Sequence, residues 1–235
     1  MAVSLLAVAV VLRVEYGIRL TPSGLSGPKR LVPEVVVAST GGPFAYSQTH
    51  AGEPVTYSPC KPLPVVVNSA LMPPGADGLV EEAVAHVASR TGLDLHIEGD
   101  TNEEPTSLRA SRLRQYGDRW PPALLAWSDP SGEPALAGEV VGVGGSTAVR
   151  TTASGRPRYV TGVVALDSPD LAATLELPAG RDLVRAVIMH ELAHLVGLDH
   201  VDDLNELMYH GNVGVTAFGP GDLEGLANLG RGSCL

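Results

Sequence analysis

The residues of this chain that are best suited to chemistry lie in one stretch, HELAHLVGLDH, which runs from His190 to His200. It holds three of the 7 histidines in a sequence of 235 residues. His190 and His194 are spaced i, i+4, so on a helix their imidazoles stand on the same face, one turn apart. Two imidazoles in that arrangement can bind one zinc ion at about 2.0–2.1 Å each. The stretch therefore predicts a metal centre.

The rest of the stretch predicts a catalytic type of site. Glu191 points roughly 100° away from His190 around the helix axis, so it is placed to reach a zinc-bound water rather than the ion. Gly197 can adopt positive φ, which lets the helix end and the chain reverse, so that His200 returns as a third ligand. Three protein ligands leave the fourth position to water, whose pKa zinc lowers towards 7. Glu191 can then accept a proton from that water as it attacks a carbonyl.

A helix must carry the first two histidines. The segment 179–197 contains no proline, is rich in helix formers and ends on Gly197. Its apolar residues point in nearly every direction, which is typical of a buried helix. A buried helix that carries histidines by chance is the alternative interpretation. The spacing of all five residues, the three histidines with Glu191 and Gly197, disfavours it.

The elements before this helix alternate between strand and helix patterns. An amphipathic helix is predicted over 77–92, with Asp77 available as its N-cap and Gly92 as its end. This order predicts an α/β fold with a mixed sheet. Strands are predicted over 63–69, 93–100, 123–129, 138–145 and 159–167.

Composition excludes one class of partner. The formal net charge is −10, with 16 basic and 26 acidic residues, so the basic face of a nucleic-acid-binding protein is not expected. Lys29 and Lys61 are the only lysines, and this preference for arginine points to a G+C-rich bacterial genome.

The N-terminal part predicts three regions. Residues 1–20 open with an apolar run too short to span a bilayer, which suits a signal-peptide remnant or membrane anchor, with a buried first strand as the alternative. Residues 21–59 are rich in Gly, Pro, Ser and Thr, which favours a linker or pro-region. Residues 60–235 form the predicted catalytic domain.

The sequence resembles the metzincin metallopeptidases, whose signature H-E-x-x-H-x-x-G-x-x-H is followed by a Met-turn. The five signature residues between His190 and His200 match it, and Met208 follows in the context LMY, at the distance found in the matrixin branch. The segment 218–230, with Asp222 near its start, is similar to the closing matrixin helix. The resemblance covers about 181–230 and points to the small, bacterial, actinobacterial type.

The resemblance implies a fold and a cofactor. The fold would be an α+β metzincin-like domain with a twisted, mixed five-stranded sheet, an active-site helix, a Met-turn and a C-terminal helix. One catalytic zinc ion would be bound by the three histidines, above a hydrophobic floor formed by Met208. The region 144–162 lacks the histidines and acids of the animal enzymes, so a second zinc and calcium are not expected. No cysteine-switch motif surrounds Cys60.

Two further expectations concern residues outside the signature. His210 stands where animal matrixins have proline, and a surface histidine is favoured over a substrate-pocket residue. Cys60 and Cys234 match no metal or redox spacing. In an exported protein we expect a disulfide between them, which would tie the C-terminus to the start of the domain.

The sequence therefore predicts a secreted, possibly membrane-anchored, monomeric zinc endopeptidase that acts on peptides or proteins, with Glu191 as general base. The alternative is a latent or non-catalytic, zinc-stabilised binding domain, held inactive by its own N-terminal segment. Hydrolysis of a non-protein amide is a third reading, since the carbonyl chemistry would be the same.

Overall fold

A computed structural model describes residues 28–39, 41–106, 108–150, 155–211 and 214–234. The predicted signal peptide or anchor, 1–20, lies outside the described residues. Within them, no helix is both long enough and apolar enough to cross a membrane.

One mixed sheet of five strands forms the centre of the fold, as the sequence predicts. Its order is β5-β4-β6-β8-β7, where the first four strands run parallel and β7 is antiparallel to β8 at one edge. The strands are β4 (Leu63–Asn68), β5 (Leu95–Asp100), β6 (Ala123–Ser128), β7 (Gly142–Val149) and β8 (Arg158–Asp167).

Helices pack on one face of this sheet and bury most of the core. The described helices are α1 (Leu79–Thr91), α2 (Ser168–Leu175), α3 (Gly180–Val196) and α4 (Pro220–Leu229). The predicted apolar stripe of α1 is buried, and α1 ends at Gly92 with φ 65°. Asp77 does not cap it, because Gly78 occupies the N-cap position in the left-handed region and offers no side chain. The helix α3 is buried on most sides, as its sequence predicts.

Short strands join the N-terminal segment to the domain. β1 (Ala45–Tyr46) pairs with β9 (Leu198–Asp199), directly before His200. β2 (Thr49–His50) and β3 (Glu53–Pro54) form a two-stranded sheet of their own.

In the described part of 21–59, some residues pack against the domain, which a free linker would not do; the alternative of a pro-region stays a prediction. Val55 and Tyr57 are buried in the main core, and Arg30 donates to the carbonyl oxygens of Gly92 and Gly230. The reason that the sequence does not show this packing is that the composition was averaged over the whole segment. An average rich in glycine and proline does not reveal two individual core residues or the hydrogen bonds of the backbone. In the part that the structure describes, packing against the domain starts about thirty residues before Cys60, at Arg30.

Candidate metal centre

The three predicted histidine ligands lie together. His190 and His194 stand one turn apart on α3, and His200 follows β9. Their Nε2 atoms form a triangle with all three sides 3.1 Å. A tetrahedral zinc ion with Zn–N bonds of about 2.0–2.1 Å keeps its nitrogen ligands about 3.3 Å from one another. These side chains therefore fit one metal ion.

Backbone carbonyls fix the orientation of two of the rings. His190 Nδ1 lies 2.7 Å from the carbonyl oxygen of Leu207, and His194 Nδ1 lies 2.9 Å from that of Leu198. Since a carbonyl only accepts, each Nδ1 carries the proton and donates. Each Nε2 is then left with its lone pair directed at the centre of the triangle, which is the state that binds a metal.

Burial favours the neutral form of these rings. It lowers the pKa of His190 to about 3, and the neighbouring His194 lowers it further. Burial also lowers the pKa of His194 and of His200. The Nε2 atoms of His190 and His194 carry no hydrogen, so they cannot hydrogen-bond to each other, and a cation is the partner that suits their convergence with His200.

Glu191 lies beside the triangle and lines the same cavity of about 780 Å³ as the three histidines. Its exposed fraction is 5%, and burial raises the pKa of its carboxyl to about 8. A divalent cation among the histidines would oppose that shift, because a nearby positive charge favours the carboxylate. Glu191 thus shares one cavity with the three histidines that could hold a metal ion.

Gly197 performs the predicted reversal. It follows α3 with φ 120°, and its N–H donates to the carbonyl oxygens of Ala193 and His194. The chain then enters β9 and delivers His200 to the triangle.

Met208 lies in the turn that closes the site and is 1% exposed. Its carbonyl oxygen accepts from the N–H of Val201, immediately after His200. The preceding residue, Leu207, accepts from His190. The backbone around Met208 therefore contacts the chain next to the first and the third histidine.

Two buried carboxylates hold this turn against α4. Asp222 Oδ2 accepts from the N–H groups of Leu207 and Gly219, and Glu206 accepts from those of Gly221 and Asp222. The sequence indicates Asp222 only as a residue near the start of the helix. It gives no signal for Glu206, or for the carbonyls of Leu198 and Leu207, because backbone acceptors leave no mark on residue type.

The cavity has a strand on one side and the Met208 turn on the other. Residues 140–144, which run into the edge strand β7, line it, as do Tyr209 and His210. The ring of His210 lies 4.2 Å from that of Tyr209, between centroids, and is exposed at the cavity mouth. It is thus both an exposed histidine and a lining residue, so the two readings of His210 are not alternatives.

Outside the residues that line this cavity, the structure joins Cys60 to Cys234 in a disulfide with Cα atoms 5.1 Å apart, as predicted.

The fold and the site thus define an α/β protein with a cluster of three histidines that could hold a metal ion. The sequence matches no protein-family model and no curated protein. Among solved structures, it is similar to archaemetzincin from Methanopyrus kandleri, at 18% identity over 73% of this chain and 86% of that one, with a TM-score of 0.40. It is also similar to metalloproteinase-II from Bacteroides fragilis, at 14% identity over 92% and 64% of the two chains, with a TM-score of 0.34. These values are too low to bear on what this chain does.

Proposed function

We propose that this chain is a zinc-dependent endopeptidase of the matrixin-like metzincin type. The observation that carries the proposal is the triangle of Nε2 atoms with 3.1 Å sides, beside the buried Glu191, in one cavity. His190, His194 and His200 would hold the ion. Zinc bound there supplies a Lewis acid that polarises a carbonyl and lowers the pKa of a water towards 7.

Glu191 performs the proton transfers. Its carboxylate accepts a proton from the water that attacks the scissile carbonyl and delivers it to the amine that leaves. Its burial excludes competing water and strengthens each electrostatic contact inside the cavity.

The edge of the sheet binds the substrate. Among the described strands, β7 pairs on one side only, with β8, and residues 140–144 line the cavity. An extended peptide can add to such an edge through backbone hydrogen bonds, which favours peptides and unfolded proteins as substrates. The disulfide between Cys60 and Cys234 supports export, because such bonds persist in oxidising compartments.

The test combines metal analysis with a cleavage profile on a peptide library derived from a proteome. We expect one zinc per chain and cleavage that a chelator abolishes. Glu191→Ala should keep the zinc and lose cleavage, whereas His86→Ala, an exposed histidine on α1, should retain both. Stoichiometric zinc without turnover of any peptide, both in the full chain and in a chain that starts at residue 28, would contradict the proposal.

A latent zymogen would also be inactive as the full chain, so latency has to be tested by a separate experiment on a shortened chain. Truncation at Cys60 would remove Val55 and Tyr57 from the core, so it cannot serve. A chain that starts at residue 28 keeps every contact described above. Activity that appears only in this chain supports a latent peptidase, and continued inactivity supports a zinc-stabilised binding domain.

A further inference from the structure

The edge strand β7 begins with an unusual density of glycine. Gly142, Gly144 and Gly145 are three of its first four residues, and none of them has a positive φ. Glycine in a strand interior costs stability because it loses more chain entropy than other residues and packs no side chain. The backbone conformation does not require glycine at these positions, so a close neighbour is the explanation to look for at each of them.

The neighbour is the helix α3 at Glu191. Positions 142 and 144 face α3, because alternate residues of a strand point to the same side. A methyl group on Gly142 would lie 2.7 Å from Glu191 Cγ, 2.9 Å from Oε1 and 3.0 Å from Cδ. Real Cβ atoms essentially never approach other atoms under 3.0 Å, so one partner would have to move.

The three glycines differ in what they contact. All three close atoms at Gly142 belong to the Glu191 side chain, whereas a methyl group on Gly144 would meet the backbone of Glu191. A methyl group on Gly145 would meet nothing within 4 Å. Gly144 therefore lets the strand and the helix pack, while Gly142 leaves room for one side chain.

We propose that Gly142 is a positioning residue for Glu191: the absence of a side chain at this strand position sets where the Glu191 carboxylate lies in the cavity. The strand and the helix backbone can both stay in place when Gly142 is replaced, because the three nearest atoms all belong to the flexible side chain of Glu191. The carboxylate then moves away from the attacking water. The claim about where the Glu191 carboxylate lies stands on geometry alone, whereas the effect on turnover rests on the proposed function.

Crystal structures of metal-loaded Gly142→Ala and wild type give the direct test, with Gly145→Ala as the matched control on the same strand. We expect Glu191 Cδ to be displaced by about 1 Å in Gly142→Ala, with the histidine triangle unchanged. In Gly145→Ala, Glu191 should stay in its wild-type position. An unmoved carboxylate in Gly142→Ala, or a shift of β7 away from α3 around a fixed Glu191, would overturn the proposal.

Kinetics and zinc content separate positioning from general damage. A misplacement of 1 Å can lower turnover on the order of 100-fold. We expect kcat of Gly142→Ala to fall by that factor while KM and zinc stoichiometry are kept. A rise in KM at unchanged kcat would contradict the role. If wild type cleaves nothing, the proposed function fails, while the two crystal structures still decide the position of Glu191.

Thermal unfolding covers the case in which Gly142→Ala folds poorly. In a Glu191→Ala background, the atoms that the methyl group would meet are gone. Any loss of Tm caused by Gly142→Ala should therefore disappear in the double variant. An equal loss of Tm in both backgrounds would mean that the methyl group meets something other than Glu191, and would reject the proposal.

Discussion

The Nδ1 atom of His190 lies 2.7 Å from the carbonyl oxygen of Leu207, and the N–H of the same leucine donates to Asp222 Oδ2 at 2.6 Å. A carboxylate at the start of α4 is thus connected through one residue to a predicted zinc ligand on α3. Groups that hydrogen-bond to a metal-binding histidine without contacting the metal orient its ring and raise its basicity as a ligand.

This connection predicts that Asp222→Ala weakens zinc binding although Asp222 is not one of the predicted zinc ligands. Loss of such a hydrogen-bonding group lowers metal affinity roughly 10- to 100-fold. We expect an effect near roughly 10-fold here, because Leu207 lies between Asp222 and His190. Competition with a chromogenic chelator measures the affinity. Glu224→Ala, a partly exposed acid on the same helix, is the control. Equal zinc affinity in Asp222→Ala and wild type would show that the connection does not reach the metal.

Gly197 offers a test of the chain reversal. An alanine there is strained at φ 120°, and its methyl group would lie 3.0 Å from the ring of Tyr159 and 3.1 Å from Leu229. Gly52→Ala is the control, because Gly52 has φ 83° with open space around it, so it measures backbone strain alone.

We expect Gly197→Ala to lower the free energy of unfolding by about 2 kcal/mol or more, from strain of about 1 kcal/mol plus crowding. It should also reduce zinc affinity, since it moves the residues between His194 and His200. Chemical denaturation and the same chelator assay measure both. A loss of stability no larger than that of Gly52→Ala would argue against crowding.

The sequence predicts much of this site because its spacing is local. His190 and His194 lie on one helix, so the i, i+4 rule alone places them together, and Gly197 gives a physical reason for the return of His200. The mixed sheet is predicted for a similar reason, because each strand shows its own periodicity. The pairing of Cys60 with Cys234 required an assumption about export and the positions of the two cysteines at the ends of the predicted domain, since spacing alone left free thiols open.

The features that the sequence does not predict are mostly hydrogen bonds to backbone groups and contacts between residues far apart in the chain. The carbonyls of Leu198 and Leu207 orient two rings, yet any residue type has a carbonyl. The packing of Val55 and Tyr57 is hidden in a segment whose composition is typical of a linker. The close approach of Gly142 to Glu191 joins positions 49 residues apart and becomes visible only when the strand and the helix are placed together.

Metal removal should destabilise the fold around the histidines. A ligand that binds only the folded state raises stability by about 2.7 kcal/mol at a free concentration of 100 times its Kd. We therefore expect Tm to fall when a chelator removes zinc, and His200→Ala to lose most of that response. Calorimetry with and without chelator measures the difference. His86→Ala should respond as wild type does, and a chelator effect equal in His200→Ala and wild type would place the metal elsewhere.

The disulfide makes a prediction about stability alone. It closes a separation of 174 residues, and the loop-entropy model assigns about 5 kcal/mol to a loop of that size. The double variant Cys60→Ser with Cys234→Ser should lose a large part of this in denaturant unfolding and keep its zinc. Wild type under reducing conditions is the matched comparison. A loss of zinc along with the disulfide would mean that the bond also shapes the site of the three histidines.

Asp222 predicts a pH dependence of stability. Burial, and to a lesser extent the nearby Glu206, raise the pKa of its carboxyl to about 7, while the N–H groups of Gly219, Leu207 and Met208 oppose the rise. The ordinary pKa of an aspartate is about 3.9, so the unfolded chain releases this proton first as pH rises. The folded state therefore loses stability between about pH 4 and pH 7, and the contribution of Asp222 is most favourable below that range.

Asp222→Asn does not titrate, so it should escape this loss. Between pH 5 and pH 7 we expect the free energy of unfolding of Asp222→Asn to rise relative to wild type by roughly 2 kcal/mol, on top of a constant offset from the altered hydrogen bonds. Urea unfolding of the metal-free proteins at both pH values measures the difference, in which all other titrating groups cancel. Parallel pH profiles for the two proteins would show that Asp222 ionises in the folded state at its ordinary pKa, with its three N–H donors outweighing burial.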